Sequence, residues 1–146
     1  MDWKDKLTEK YPSLFRAKDD YRNYGGFHVG EGWRPIIETL CAYIDDERNK
    51  IVSRINSEYN NVENVDELRC KLETTDWPAI LQIKEKFGTL RFYCHGTTEE
   101  QDCYIDFAES LSGSICEECG RPGSTGNGKR RGWIKTLCDE CRGDSV

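Results

Sequence analysis

Long apolar runs are missing from this chain: nowhere does it approach the ~18–20 consecutive apolar residues that a membrane-spanning helix needs. No apolar segment follows the opening MDWKDKLTEKYP, so neither a secretion signal nor a membrane span is predicted, and a cytoplasmic location is expected. Low-complexity tracts are also absent. With 36% hydrophobic and 11% aromatic residues, the chain carries too much core-forming material to be read as disordered. A general positive charge is lacking as well, and the net charge of −6 argues against a protein that coats nucleic acid. The catalytic signatures that sequence can reveal are missing too. There is no nucleophile elbow, no HExxH and no pair of carboxylates on a clear scaffold, so enzymatic activity finds no support here.

What is present fits one modest core with a small appendix, as expected for 146 residues. Trp3, Leu7 and Tyr11 recur every four residues, which predicts a short helix broken at or before Pro12. In NYGGFHVGEGW, four glycines alternate with aromatics, predicting a tight loop or short hairpin. His28, Glu31 and Trp33 make this loop a candidate pocket, although a hydrogen-bonded loop histidine is the simpler reading of His28. From about Pro35 to about Tyr59, apolar residues recur at helical spacing (Ile37, Leu40, Cys41, Ile44, Ile51, Ile55), predicting one long amphipathic helix that ends at Asn60 and Asn61. A shorter helix carrying Val65, Leu68 and Leu72 follows. AILQIKEKFGTLRFYC switches to strand-like alternation, with Gly88 at the turn of a hairpin. Tyr104, Phe107, Ala108 and Leu111 then share one helical face, closed by Gly113. The predicted fold is α+β: a long amphipathic helix packed with a small antiparallel sheet over residues 1–114, followed by a zinc-ribbon module over 115–146.

That module rests on the cysteines. Cys116 and Cys119 form one CxxC pair, Cys138 and Cys141 another, and eighteen residues separate the pairs. Two such turns bring four thiolates within tetrahedral reach of one ion, and a reducing compartment disfavours disulfides, so a structural Zn2+ is expected. Gly120 follows the second ligand, where a knuckle must turn sharply. Of the other cysteines, Cys41 and Cys70 are expected to be small core residues. Cys94, His95 and Cys103 are irregularly spaced, and burial at a strand end is a better reading than a second metal site.

Between the pairs lies GSTGNGKRRGW, whose first seven residues imitate a phosphate-binding loop. Such a loop needs a strand before it, a helix after it and Ser or Thr behind the lysine, yet Arg130 follows Lys129. The stretch is therefore read as the tip of a metal-held loop. From Gly120 to Leu137 five basic residues (Arg121, Lys129, Arg130, Arg131, Lys135) meet no acidic one, and Trp133 stands beside them. This tip is a candidate contact for nucleic acid or for an acidic protein face, or it is only a solvated loop.

GEGW before a helix, QIKEKFGTLRFY, and CEECGRPG followed by GWIKTLCDEC together resemble a group of small proteins encoded by tailed bacteriophages and prophages. The resemblance spans roughly Gly25 to Cys141. It implies a phage or bacterial cytoplasmic origin and no particular chemistry. Three functional expectations follow. One is a non-enzymatic, zinc-containing binding protein that engages a host or phage macromolecule, in host takeover or defence evasion. The second is a nucleic-acid-binding accessory factor that uses the basic tip. The third is a nucleotide binder or enzyme built on the aromatic Gly-rich loop.

Overall fold

The computed structural model describes residues 1–20, 22–57, 64–127 and 132–143. Helix α1 (Trp3–Lys10) starts where the Asp2 carboxylate accepts from the Lys4 amide, and it buries Leu7 and the C-cap residue Tyr11. After the short helix α2 (Ala17–Asp20), strand β1 (Gly26–His28) leads through a single 3-10 turn (Glu31–Trp33) into α3 (Arg34–Ile44).

The expected long helix is in fact two, α3 and α4 (Asp46–Asn56), divided at Asp45. Backbone bonds run from Asp45 N to Cys41 O and from Asn49 N to Asp45 O, so the break is a one-residue kink. The Gln101 side-chain amide donates to the Ile44 carbonyl at 3.0 Å, a partner from outside the helix that competes with the ladder bond at the break. The two halves also differ in burial. In α3, Ile36, Ile37, Leu40, Cys41 and Ile44 are buried, whereas α4 buries Ile51 alone among its residues. The expected terminus at Tyr59 to Asn61 lies outside the described residues. Helix α5 (Val65–Thr74) buries none of its residues and rests against α4 through the Lys71–Glu47 ion pair, 2.8 Å.

Strands β2 (Ala79–Lys86) and β3 (Thr89–His95) form the expected hairpin, and Phe87 and Gly88 at its tip both have positive φ, 54° and 88°. A two-residue turn of this kind matches the twist of the strands it joins. The sheet order is β1-β2-β3, and β1 pairs parallel to β2, so the sheet is mixed rather than antiparallel. Parallel neighbours need a crossover, which the helices between Arg34 and Thr74 supply. A register irregularity between Ile80 and Gln82 lets Ile80 and Ile83 both point inward. On β3, buried Leu90 and Phe92 alternate with Arg91 and Tyr93.

Helix α6 (Glu99–Ser112) opens with a capping box between Thr98 and Gln101 and lies over β3 and α3. It also closes the sheet edge. The Leu90 amide donates to Ser112 Oγ at 2.9 Å and the Phe92 amide to Glu109 Oε2 at 2.8 Å, so two edge N–H groups find partners on the helix. The chain ends in a two-stranded ribbon, β4 (Ser124–Asn127) and β5 (Ile134–Leu137), and helix α7 (Asp139–Arg142). The architecture is α+β. No helix among the described residues is long and apolar enough to cross a membrane.

Candidate metal centre

Each cysteine pair sits on a tight backbone turn. In the first, the Gly120 amide donates to Cys116 O at 2.9 Å and the Cys116 amide to Arg121 O at 2.8 Å, with Gly120 at φ 81°, as its place after the second cysteine predicts. In the second, Cys138 caps α7 and its sulfur accepts from the Cys141 amide at 3.4 Å, while Gly143 ends the helix in the left-handed conformation. The ribbon β4–β5 carries the chain from one turn to the other.

All four sulfurs lie within 4.8 Å of one another, and Cys119 Sγ is 3.5 Å from Cys138 Sγ. Around a tetrahedral ion with sulfur ligands at ~2.3 Å, the sulfurs stand ~3.8 Å apart, so the four thiols are placed to hold one metal ion. The protonation pattern agrees. Burial raises the Cys116 thiol, but backbone amides of Cys138, Cys119 and Glu118 outweigh it and bring the group down to about 7. The Arg121 amide pulls the Cys119 thiol down, but desolvation and the thiols of Cys138 and Cys116 together carry it up. Cys141 is driven up by the Cys138 thiol and by burial. Four thiolates cannot share so small a space without a cation, and a divalent ion removes that conflict.

The Gly-rich loop is the socket for this centre. The Gly32 amide donates to Glu117 O at 2.7 Å, the Gly30 amide to Glu117 Oε2 at 3.0 Å, and the Trp33 indole N–H to Ile115 O at 2.8 Å. A Cβ on Gly32 would stand 2.0 Å from Cys116 O, so glycine there permits two backbones to touch. Trp33 is fully buried as a strut between core and metal turn. Of its partners in the candidate pocket, His28 is exposed on β1, and the exposed Glu31 carboxylate stands 3.8 Å from Arg34.

A second seam joins the ribbon to the tip of the β2–β3 hairpin. The buried Thr136 hydroxyl donates to Gly88 O at 2.6 Å, and Lys135 Nζ lies 3.5 Å from both Glu85 and the nearly buried Glu117. Lys135 and Arg121, two of the expected anion contacts, are therefore engaged by carboxylates, Arg121 by Glu140. Trp133 is 59% exposed. Lys129, Arg130 and Arg131 lie outside the described residues. The segment that imitates a phosphate loop begins as strand β4, with Gly123 packed against Leu137 and Cys116, and the Arg142 guanidinium bonds carbonyls of Ser124 and Asn127.

Of the remaining cysteines, Cys41 is fully buried as expected, whereas Cys70 is exposed, because α5 buries none of its residues. Cys103 is exposed on α6, and Cys94 is partly buried, its thiol pushed up to about 12 chiefly by burial. His95 bonds Asp76 at 3.0 Å. Among the described residues these three form no metal cluster with one another. Sequence reasoning missed Glu117 and Arg142, since nothing in CEEC distinguishes buried Glu117 from exposed Glu118. No family model, curated protein or solved structure matches this chain.

Proposed function

We propose that the chain is a non-enzymatic binding protein whose C-terminal ribbon is held by a structural zinc ion, and that its partner is a macromolecule. One observation carries the reading: a closed set of four cysteine sulfurs, set on two turns and locked by backbone hydrogen bonds onto the core. Four thiolates complete the tetrahedron that zinc favours, which leaves no position for an activated water or a substrate. The ion then shapes a surface. A protein partner in a phage-infected or bacterial cell, met in host takeover or defence evasion, accords with the resemblance of the sequence motifs to phage proteins.

The test has two parts. Metal analysis of the purified chain should return one zinc per chain, and chelation should abolish the ribbon's ordered signal in circular dichroism before the core melts. A fully folded, metal-free protein refutes the zinc assignment. Affinity capture from infected and uninfected cells should recover a defined partner, and recovery of none refutes the binding role.

Exposed Trp133 favours a second reading, in which the tip bearing Lys129, Arg130 and Arg131 contacts nucleic acid and the indole stacks on a base. Replacing the three basic residues should then abolish single-strand binding measured by anisotropy at low salt.

A further inference from the structure

The β1-β2-β3 sheet has one covered face and one open one. Ile83, Leu90 and Phe92 point into the core, whereas Lys84, Lys86, Arg91 and Tyr93, which alternate with them, are half-buried or exposed. His28, in register with Lys84, is exposed as well. The strands hold a single carboxylate, Glu85, which stands opposite Leu90 on the covered face and pairs with Lys135 at 3.5 Å. In a chain of net charge −6, the open face is thus cationic and carries no acidic side chain from its own strands.

The fold does not account for this charge. Lys84 and Arg91 are directly opposite each other across β2 and β3, and like charges so placed destabilise a sheet. Among the described residues none of the three cations forms an ion pair, and the buried Arg91 Nε makes no hydrogen bond. An unsatisfied buried donor of this kind requires an explanation. The two lysines instead lie over rings, Lys84 Nζ 5.8 Å from the centre of Tyr93 and Lys86 Nζ 5.4 Å from that of Phe87. Tyr93 is 43% and Phe87 66% exposed.

Cations interleaved with exposed rings suit one class of anion. Along β2, Lys84 and Lys86 stand ~6.8 Å apart, and Arg91 lies one strand away from Lys84. A single strand of nucleic acid offers phosphates to such cations and unpaired base faces to such rings. A duplex hides its base faces, and an acidic peptide has none. We infer that the open sheet face binds single-stranded nucleic acid, with Lys84, Lys86 and Arg91 on phosphates and Tyr93 and Phe87 stacked on bases. This rests on the second reading above, contact with nucleic acid, and centres that contact on the sheet instead of the loop tip.

The test is fluorescence anisotropy of labelled oligo(dT) and oligo(U) of about 12 nucleotides, titrated with the full metal-loaded chain. Lys84→Gln with Arg91→Gln should weaken binding about tenfold or more. It should also flatten the slope of log K against log salt by about 1.4, two phosphates at ~0.7 each. Tyr93→Leu should weaken binding about fivefold or more and leave the slope unchanged, because the ring contributes stacking and no charge. Urea titration checks the variants. Relief of the Lys84 and Arg91 opposition should leave the double variant as stable as wild type or more so, and Tyr93→Leu decides alone if the double variant does not fold. Oligoglutamate of equal charge and a DNA duplex should each bind about tenfold or more weakly than the single strands. Equal binding by either, or binding only to phosphatidylserine vesicles, overturns the inference. Loss of binding on replacing Lys129, Arg130 and Arg131, with the sheet variants binding as wild type does, leaves the nucleic-acid reading standing and overturns the sheet face. No oligonucleotide binding by any form overturns both.

Discussion

Replacing Gly32 with alanine tests whether the metal turn and the core are one cooperative unit. The new Cβ would stand 2.0 Å from Cys116 O and 2.6 Å from both Glu117 O and Gly120 N, all backbone atoms that no rotamer change can move. Van der Waals contact needs ~3.2 Å or more, so the two backbones must part by about an ångström. That separation breaks the Gly32–Glu117 backbone bond and strains its neighbours, Gly30 to Glu117 Oε2 and the Trp33 indole to Ile115 O. At about 1 kcal/mol for each hydrogen bond, the loss is about 3 kcal/mol, which lowers the melting temperature of a chain this size by roughly 6–12 °C.

The assay is thermal unfolding of the metal-loaded protein, paired with the rate of metal transfer to a chromophoric chelator. Transfer should accelerate by up to about 100-fold, because ~3 kcal/mol of docking no longer opposes opening of the turn. Gly25→Ala is the matched control. In the same Gly-rich segment, the nearest atoms to its Cβ belong to the Gln82 side chain, which can swing away. If Gly32→Ala melts and releases metal as the Gly25 variant does, the coupling argued from these contacts is wrong.

Three other perturbations follow from the same structure. Ser112→Ala removes the acceptor of the buried Leu90 amide and should cost about 1–3 kcal/mol, seen as faster exchange at Leu90 than at Phe92; equal protection would contradict the edge-closing role of α6. Phe87 holds a left-handed conformation at φ 54° and is 66% exposed, so Phe87→Asn should raise stability by about 0.5–1 kcal/mol in urea titration, and a loss would reveal a packing role for the ring. Burial raises the Asp45 carboxyl against the opposing charges of Arg48 and Arg16, so folding favours its protonated form. Its stabilisation is complete below the unfolded pKa of about 4 and is lost as pH rises through the higher folded value. Asp45→Asn should therefore lose less stability than wild type between pH 4 and pH 7, and parallel curves would refute the assignment.

The legible parts of this fold are those written locally. Four cysteines at fixed spacing specify a cluster placed to hold a metal ion, and the alternation of Leu90, Arg91, Phe92 and Tyr93 specifies a half-buried strand. The break at Asp45 is not legible, because the side chain that bonds the Ile44 carbonyl there, Gln101, lies 57 residues from Ile44 along the chain. The parallel pairing of β1 with β2 is likewise a product of the crossover and leaves no mark on three residues of strand. The Gly-rich loop shows the same limit from another side. Its glycines announce a close approach but not what approaches, and both the pocket reading and the observed docking onto Glu117 satisfy the sequence.

Helix α6 carries that limit to its most useful point. Periodicity places Tyr104, Phe107, Ala108 and Leu111 on one face and, by the ordinary rule, assigns that face to the core. In the folded chain Ala108 alone of the four is buried, while the inward face is completed by Ile105 and by Ser112, a residue periodicity counts as polar. Ser112 is tolerated inside because its hydroxyl accepts from the Leu90 amide and donates to Glu109 O, so the sheet edge, not apolar spacing, decides which way the helix is turned. Once those bonds fix the rotation, the Tyr104, Phe107 and Leu111 stripe of the helix faces outward beside Tyr43. The same contacts that close the sheet thus leave an apolar groove open between α3 and α6.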